Sequence, residues 1–156
     1  MLTDTNKIDD EQLNRPLLEV KGLRIEGLSE KGWQEIVRGV DLQLKRGEIL
    51  GLIGESGAGK STIGLASMGY ARDGCRITDG EIIFDGIELS SAPENEKRKL
   101  RGTRISYVAQ SAAAAFNPAH RLLDQFAEGP VDHGVMSRRE AKEKGRALYR
   151  SLDLPD

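Results

Sequence analysis

The sequence has few cysteines, no long apolar run and no pattern of a secretory signal. Its single cysteine, Cys75, can close no disulfide within the chain and has no companions for a metal cluster. No apolar run approaches the roughly 20 residues that a membrane helix needs. The polar start, MLTDTNKIDDEQLN, has neither the basic end nor the apolar centre of a secretory signal. These absences predict a reducing, cytoplasmic setting and no transmembrane segment.

Neither positive nor negative charge is in large excess. The 23 Lys and Arg residues nearly balance the 25 Asp and Glu residues, so the formal net charge is -2. No overall field therefore draws the chain to nucleic acid or to an anionic membrane, and any phosphate binding must be local. The 156 residues, 38% of them hydrophobic, suffice for one ordinary domain. Residues 1–15 are polar without a period and predict a disordered tail.

Strand patterns of two kinds occur along the chain. LLEVKGLRI and IVRGVDLQL are partly alternating apolar segments that predict antiparallel strands, joined by the Gly-rich, charged segment GLSEKGWQE. The alternative for this joint is a plain surface loop. GEIIFDGIEL predicts a hairpin whose turn is Asp85 and Gly86. Two compact apolar runs, EILGLI at 48–53 and RISYVAQ at 104–110, predict strands buried in a parallel sheet.

Helix signals separate and follow these strands. STIGLASMGY, directly after Lys60, has a modest helical pattern. The spacing Ser-x-x-Glu occurs twice and predicts a capping box at each place, one opening a charged helix at Ser91 and one opening a helix from Ser137 to about Leu152. HRLLDQFAE predicts a further helix, stopped by Gly129 and Pro130.

A glycine loop links the first compact run to the first helix. GESGAGKS, residues 54–61, matches G-x-x-x-x-G-K-[ST] without a mismatch. Glycines let successive backbone N–H groups approach phosphate oxygens, and the following helix directs its positive end at the same anion. Lys60 adds a charge, and the Ser61 hydroxyl suits Mg²⁺. The predicted phosphate-binding residues are Gly54, Glu55, Ser56, Gly57, Ala58, Gly59, Lys60, Ser61 and Thr62.

Several segments, taken in order, resemble the nucleotide-binding domain of ABC transporters. VDLQLKRGEILGLIGESGAGKST resembles the beginning of that domain, GEIIFDGIEL its hairpin, and RISYVAQ the strand that ends in the Q-loop glutamine, here Gln110. SAAAAFNP followed by LLDQFAEGP is similar to the oligopeptide, dipeptide and nickel importer branch. The resemblance covers 17–156. It implies an α/β P-loop NTPase fold, with a core and antiparallel β subdomain at 16–110 and the Q-loop and start of a helical subdomain at 111–156.

The resemblance also implies ligands and residue roles. The cofactors would be ATP and Mg²⁺, and Gln110 would reach Mg²⁺ and the attacking water, a task that suits an amide with both an acceptor and donors. The alternative is an ordinary polar residue at a strand end. The family stacks an aromatic residue on adenine where this sequence has Gly27. Trp33 is the aromatic nearby that could stack on the base, and a surface-loop tryptophan is the alternative.

Three elements of the family are absent from the sequence: an LSGGQ-type signature, an apolar run ending in Asp-Glu, and a switch histidine. EIIFDG superficially resembles the apolar run ending in Asp-Glu, but no glutamate follows Asp85. A hairpin turn at Asp85 and Gly86 explains this segment better. His120 and His133 are expected at the surface. We therefore expect an incomplete domain, truncated before the signature, of marginal stability, with poor hydrolysis because the groups that orient Mg²⁺ and water are missing.

The function implied by the resemblance is the ATP-binding component of an importer of peptides or nickel-type solutes. Such a component would lie on the cytoplasmic face of the membrane, contact transmembrane permease subunits and pair head to tail with a second ATP-binding domain. The alternative is a non-hydrolysing nucleotide-binding remnant without transport activity. A P-loop kinase or GTPase fits less well, because the sequence has no N-K-x-D motif and no arginine-rich lid pattern.

Overall fold

The computed structural model describes residues 15–57, 59–111 and 115–153. One compact unit extends to Lys97, and a second begins at Arg98. The predicted disordered tail lies, apart from Arg15, outside the described residues. The predicted boundary between core and helical subdomain, at residue 110, differs from this division and stays a prediction.

Two long antiparallel strands organise the first unit. Strand β1 (Leu18–Ser29) pairs with β2 (Gly32–Leu44) along its whole length, which confirms the predicted pairing. The alternative of a plain surface loop at GLSEKGWQE is wrong, because the two strands continue through it to a tight turn at 30–31. Leu28 stands opposite Trp33 in this extension of the strands. Cross-strand pairs of aromatic and apolar side chains stabilise a sheet, which explains why the backbone pairing continues there.

The second hairpin lies on the other side of β1. Strand β3 (Cys75–Phe84) pairs with β1 and with the short β4 (Ile87–Glu88), which gives the sheet order β2-β1-β3-β4. Asp85 and Gly86 both have positive φ, 49° and 80°, as a two-residue hairpin turn of type I′ requires. The Asp85 carboxylate is bound by the Arg46 guanidinium. The predicted Asp-Gly turn is confirmed.

One face of this sheet forms the core of the first unit. β1 bulges between Val20 and Leu23, and the backbone of β3 approaches the bulge so closely that a Cβ on Gly80 would lie 2.6 Å from the Leu23 Cα. Only glycine fits that approach. The buried apolar residues of the unit are Val20, Leu23, Ile25, Val37, Ile63, Ala66, Ile82, Phe84 and Leu89.

The two compact apolar runs are not strands in the described structure. Residues 48–53 have no sheet partner, and Ile49 and Ile53 are 97% and 99% exposed. Residues 104–110 form only an isolated bridge between Arg101 and Ile105, and Val108 is 91% exposed. Both predictions of a buried strand are therefore wrong. An apolar composition suits a buried strand, but a strand forms only where a neighbouring strand pairs with it. No strand of the described sheet pairs with either run.

Four helices lie among the described residues: α1 (Lys60–Ala66), α2 (Glu94–Leu100), α3 (Leu122–Asp132) and α4 (Arg138–Ser151). Helix α2 begins at Glu94, two residues later than a cap at Ser91 predicts. The predicted stop at Gly129 and Pro130 is wrong, because α3 continues through both residues. A proline inside a helix loses its N–H bond and crowds the carbonyl four residues earlier, and α3 accommodates this two residues before its end.

Helices α3 and α4 pack against each other in the second unit. The capping box predicted for α4 is present: the Ser137 hydroxyl accepts from the Glu140 amide, and the Glu140 carboxylate accepts from the Ser137 amide. Gly145 permits a close helix approach, because a Cβ there would lie 2.7 Å from the Leu123 Cδ1. The Phe126 ring meets the Tyr149 ring edge to face at 6.1 Å. Among the described residues, no helix has the length and apolar character needed to cross a bilayer.

Candidate functional site

The predicted phosphate loop has the backbone conformation that its glycines allow. Gly57 and Gly59 have φ of 82° and 81°, in the left-handed region that residues with a side chain rarely adopt. Gly59 is the N-cap residue of α1 and provides no side-chain cap, so the first amides of the helix have no partner from that side chain. Such amides, together with the positive end of a helix, can bind an anion.

The end of the loop is packed against the antiparallel sheet. A Cβ on Gly59 would lie 3.3 Å from the Val37 Cγ2 and 3.4 Å from the Ile36 carbonyl oxygen. Val37 is buried and stands opposite Ile25 in the sheet. The glycine therefore serves two purposes, a left-handed turn and a close approach to β2, and the sheet fixes the position of the first turn of α1.

The side chain of Lys60 folds back over the loop. Its Nζ donates to the carbonyl oxygens of Gly54 at 2.8 Å and Glu55 at 2.6 Å. An ammonium has three donors, so a phosphate oxygen can take the third or replace one of these two bonds. The lysine charge is thus already held at the mouth of the loop.

The adjacent hydroxyl residues differ in exposure. Ser61 is exposed in the first turn of α1, whereas Thr62 is 7% exposed and lines a small pocket with Ile25. Ser61 is thus the accessible hydroxyl of the pair. No cluster of three or more His, Cys, Asp or Glu that could hold a metal occurs among the described residues. An exposed hydroxyl such as that of Ser61 suits a magnesium ion that takes most of its ligands from phosphate and water.

The loop residues are found together, with one outside the described part. Glu55 and Ser56 are exposed beside the glycines, and Ala58 lies outside the described residues. The second predicted Mg²⁺ ligand, Gln110, is exposed and belongs to the second unit. Its role stays a prediction. His120 is exposed and His133 is partly exposed.

Trp33 lies on the sheet face opposite the core. Glu26 stands opposite both Glu35 and Arg76 in the strand register, and Trp33 shares their face because alternate residues of a strand point the same way. Val37, which contacts the phosphate-loop glycine, belongs to the other face, because the register shift between Ile25 and Glu26 breaks the alternation between Glu35 and Val37. This placement favours the alternative of a surface tryptophan over base stacking.

One arrangement in the second unit was not predicted from the sequence. The side-chain amide of Gln125 on α3 bonds to three backbone groups of the preceding loop, at Asn117 and His120. The Asn-Pro dipeptide followed by a helical glutamine is the available signal, and it is a weak one because many glutamines on helices face solvent.

Comparisons with known proteins agree with this site. The chain is 34% identical over 141 residues to the probable peptide ABC transporter ATP-binding protein y4tR of Sinorhizobium fredii, covering 90% of this chain and 42% of that protein. It is 36% identical over 140 residues to the oligopeptide transport ATP-binding protein OppD of Escherichia coli, covering 90% and 41%. It is 40% identical over 111 residues to the peptide transport protein SapD of Salmonella typhimurium, covering 71% and 34%. The chain thus spans less than half the length of these relatives.

Solved structures show the same fold. A dimeric structure of MJ0796, a bacterial ABC transporter cassette, superposes with a TM-score of 0.69 at 22% identity, over 89% of this chain and 58% of that one. The same cassette in a post-hydrolysis state, bound to ADP and Pi, gives 0.67 at 20% identity with the same coverage. The predicted fold class, an α/β P-loop fold like that of ABC ATPases, is confirmed.

The sheet and the glycine loop together define a P-loop protein of the nucleotide-binding class. The sequence model of the ABC transporter family matches residues 37–156. This chain therefore belongs to the ABC transporter family, as the segments around its phosphate loop and Gln110 predicted.

Proposed function

We propose that this chain is part of the ATP-binding subunit of an importer of peptides or nickel-type solutes. The observation that carries the proposal is the phosphate loop, in which two left-handed glycines, a helix N-terminus and the Lys60 ammonium converge. The relatives named as peptide or oligopeptide transport ATP-binding proteins support peptides as the solute class.

Each residue of the loop has a proposed part in binding ATP. The backbone amides at 54–62 would surround the phosphates, and Lys60 would exchange a carbonyl of the loop for a terminal phosphate oxygen. Ser61 and Gln110 would hold Mg²⁺, which when bound neutralises charge on the β- and γ-phosphates. Gln110 would also orient the attacking water through its amide.

The partners and location belong to the same proposal. The dimeric MJ0796 structures support pairing with a second ATP-binding domain, which we propose is head to tail. Transmembrane permease subunits would contact the region 111–135, where Phe116 and Leu122 are 42% and 49% exposed. The chain would then act at the cytoplasmic face of the membrane as a peripheral subunit.

A second candidate is a nucleotide-binding protein without turnover. The observation that favours it is the placement of Asp85, which forms the turn of the β3-β4 hairpin and is bound by Arg46. A carboxylate held in a turn by a guanidinium is a poor base for an attacking water. This carboxylate therefore does not provide the function of a catalytic glutamate.

Binding and turnover of Mg-ATP by the purified chain test both candidates. We expect Lys60→Ala to weaken Mg-ATP binding at least about tenfold, because a charged hydrogen bond to phosphate contributes about 1.5–3 kcal/mol. Lys31→Ala, at the exposed turn of the β1-β2 hairpin, is the matched control and should bind normally. Equal Mg-ATP affinity of the Lys60→Ala variant and the unchanged chain would contradict the proposed phosphate-binding site. Hydrolysis that depends on Lys60 favours the transport ATPase, and binding without hydrolysis favours the second candidate.

A further inference from the structure

The side-chain amide of Gln125 forms hydrogen bonds with backbone groups of the loop that precedes helix α3. Its Oε1 accepts from the Asn117 amide at 2.9 Å, and its Nε2 donates to the Asn117 carbonyl at 2.9 Å. The second Nε2 hydrogen is donated to the His120 carbonyl at 3.0 Å. Both donors and the acceptor of the amide are therefore used on backbone groups eight and five residues earlier. We call this arrangement the Gln125 clamp.

Two further features stiffen the loop that the Gln125 clamp holds. The Ala119 amide donates to the Asn117 Oδ1 at 2.9 Å, which closes an Asx turn. Pro118 fixes its own φ and restricts Asn117 to extended backbone. A loop constrained by a proline, an Asx turn and a three-bond clamp has little conformational freedom left at its carboxyl end. The segment that begins at Gln110 is thus anchored where it reaches residue 117.

We propose that Gln125 is a positioning residue for transport, which it serves by holding the loop 117–120 on helix α3. The proposal deepens the proposed function and rests on it. Both amide donors of Gln125 are already used on the loop backbone, so we expect its substitution to change nucleotide affinity little. Its effect would instead fall on the region 111–135, through which the subunit would contact its membrane partner. Losing the clamp should uncouple solute from hydrolysis while leaving Mg-ATP affinity intact.

Amide hydrogen exchange on the full chain tests the clamp directly. Gln125→Leu removes all three bonds, so protection of the Asn117 amide should fall at least about fivefold, since one net hydrogen bond corresponds to a factor of roughly 2 to 10. Glu128→Gln, an exposed and isosteric change on the same helix, is the control and should leave protection unchanged. Protection of the α3 amides shows that each variant is folded. Unchanged exchange at Asn117 in a folded Gln125→Leu variant overturns the proposal.

Gln125→Glu adds a readout that a general packing role would not give. The ionised carboxylate keeps the acceptor but loses both donors, and it would face the carbonyls of Asn117 and His120. Those carbonyls favour the protonated acid, whose O–H can donate again. Repulsion by the two carbonyls should displace the ionised side chain from the loop, so Asn117 protection in this variant should be low near pH 6.5 and recover as the carboxylate is protonated. The unchanged chain, measured over the same range, corrects for His120, Asp124, Arg138 and Lys142. No recovery in the folded variant overturns the proposal.

The consequence for function is measured in the assembled transporter with its membrane subunits and a peptide solute. Gln125→Leu should lower the kcat of solute-stimulated ATP hydrolysis severalfold, with the KM for Mg-ATP changed less than about twofold. A raised KM with unchanged kcat overturns the positioning role. Failure of the proposed function can be distinguished from failure of the clamp. In the first case the unsubstituted chain would bind no Mg-ATP, while hydrogen exchange at Asn117 would still report the clamp.

Discussion

The guanidinium of Arg76 lies over the ring of Trp33, with its central carbon 4.3 Å from the ring centroid. The same guanidinium is held by Glu26, whose Oε2 lies 2.6 Å from Nη2 and 2.8 Å from Nε. One ring face of Trp33 is therefore covered by a cation that is itself anchored on β1. A nucleotide base could stack only on the other face or by displacing Arg76.

The fluorescence of Trp33, the single tryptophan of the chain, reports this contact. We expect Arg76→Met to change the emission, because the cation over the ring is removed. Mg-ATP should leave the emission unchanged, because Trp33 and the Gly59 contact at Val37 belong to opposite sheet faces. A saturable change in emission that is absent in Lys60→Ala would show instead that Trp33 contacts the base.

Gly59→Ala should weaken both the fold and nucleotide binding. The φ of 81° costs a residue with a Cβ about 1–3 kcal/mol, and the new Cβ would press on Val37 at 3.3 Å. Gly64→Ala on the same helix is the matched control: it meets no atom within 4 Å and should stabilise by about 0.5–1 kcal/mol. Urea unfolding and Mg-ATP titration of both variants provide the measurement. Equal stability of the two would contradict the strained geometry of Gly59.

Gly145→Ala should loosen the packing of α3 on α4. The added methyl would lie 2.7 Å from Leu123 and 2.8 Å from Phe126, and overpacking of this kind costs about 1–3 kcal/mol. This exceeds the gain in helix propensity of about 0.5–1 kcal/mol. Gly64→Ala, within α1 and without a contact inside 4 Å beyond its own helix, should show the gain alone. Thermal unfolding compares them, and a Tm for Gly145→Ala above that of Gly64→Ala would contradict the close approach.

The capping box of α4 should make stability depend on pH. Hydrogen bonds from the Ser137 side chain and backbone hold the pKa of Glu140 below its usual value of 4.5. Because the folded-state pKa is depressed, the stabilisation is present above the unfolded value and is lost as pH falls through the folded one. Ser137→Ala should cost about 1 kcal/mol near neutral pH and flatten this dependence.

Chemical denaturation between pH 3 and 7 checks the capping box. Glu143→Gln, at an exposed position of the same helix, should keep the full pH dependence. A Ser137→Ala variant with an unaltered pH profile would show that the box does not control the titration of Glu140.

Sequence signals that act over a few residues predicted the structure well. The Asp85-Gly86 turn, the capping box at Ser137 and the glycine loop each depend on neighbours in the sequence, and the structure contains them. The buried strands at 48–53 and 104–110 were mispredicted, because burial depends on partners that an apolar run cannot specify. The Gln125 clamp joins a side chain to backbone eight residues away, and the Asn-Pro dipeptide before the helical glutamine is only a weak signal for such bonds.

The uncovered run at 48–53 governs how this chain behaves at high concentration. Ile49 and Ile53 are almost wholly accessible to other molecules, and the peptide groups between them are not engaged in a sheet. A net charge of -2 supplies little mutual repulsion between copies. Such a segment is a template on which a second chain can add a strand. We therefore expect copies of the isolated chain to associate through this segment as their concentration rises.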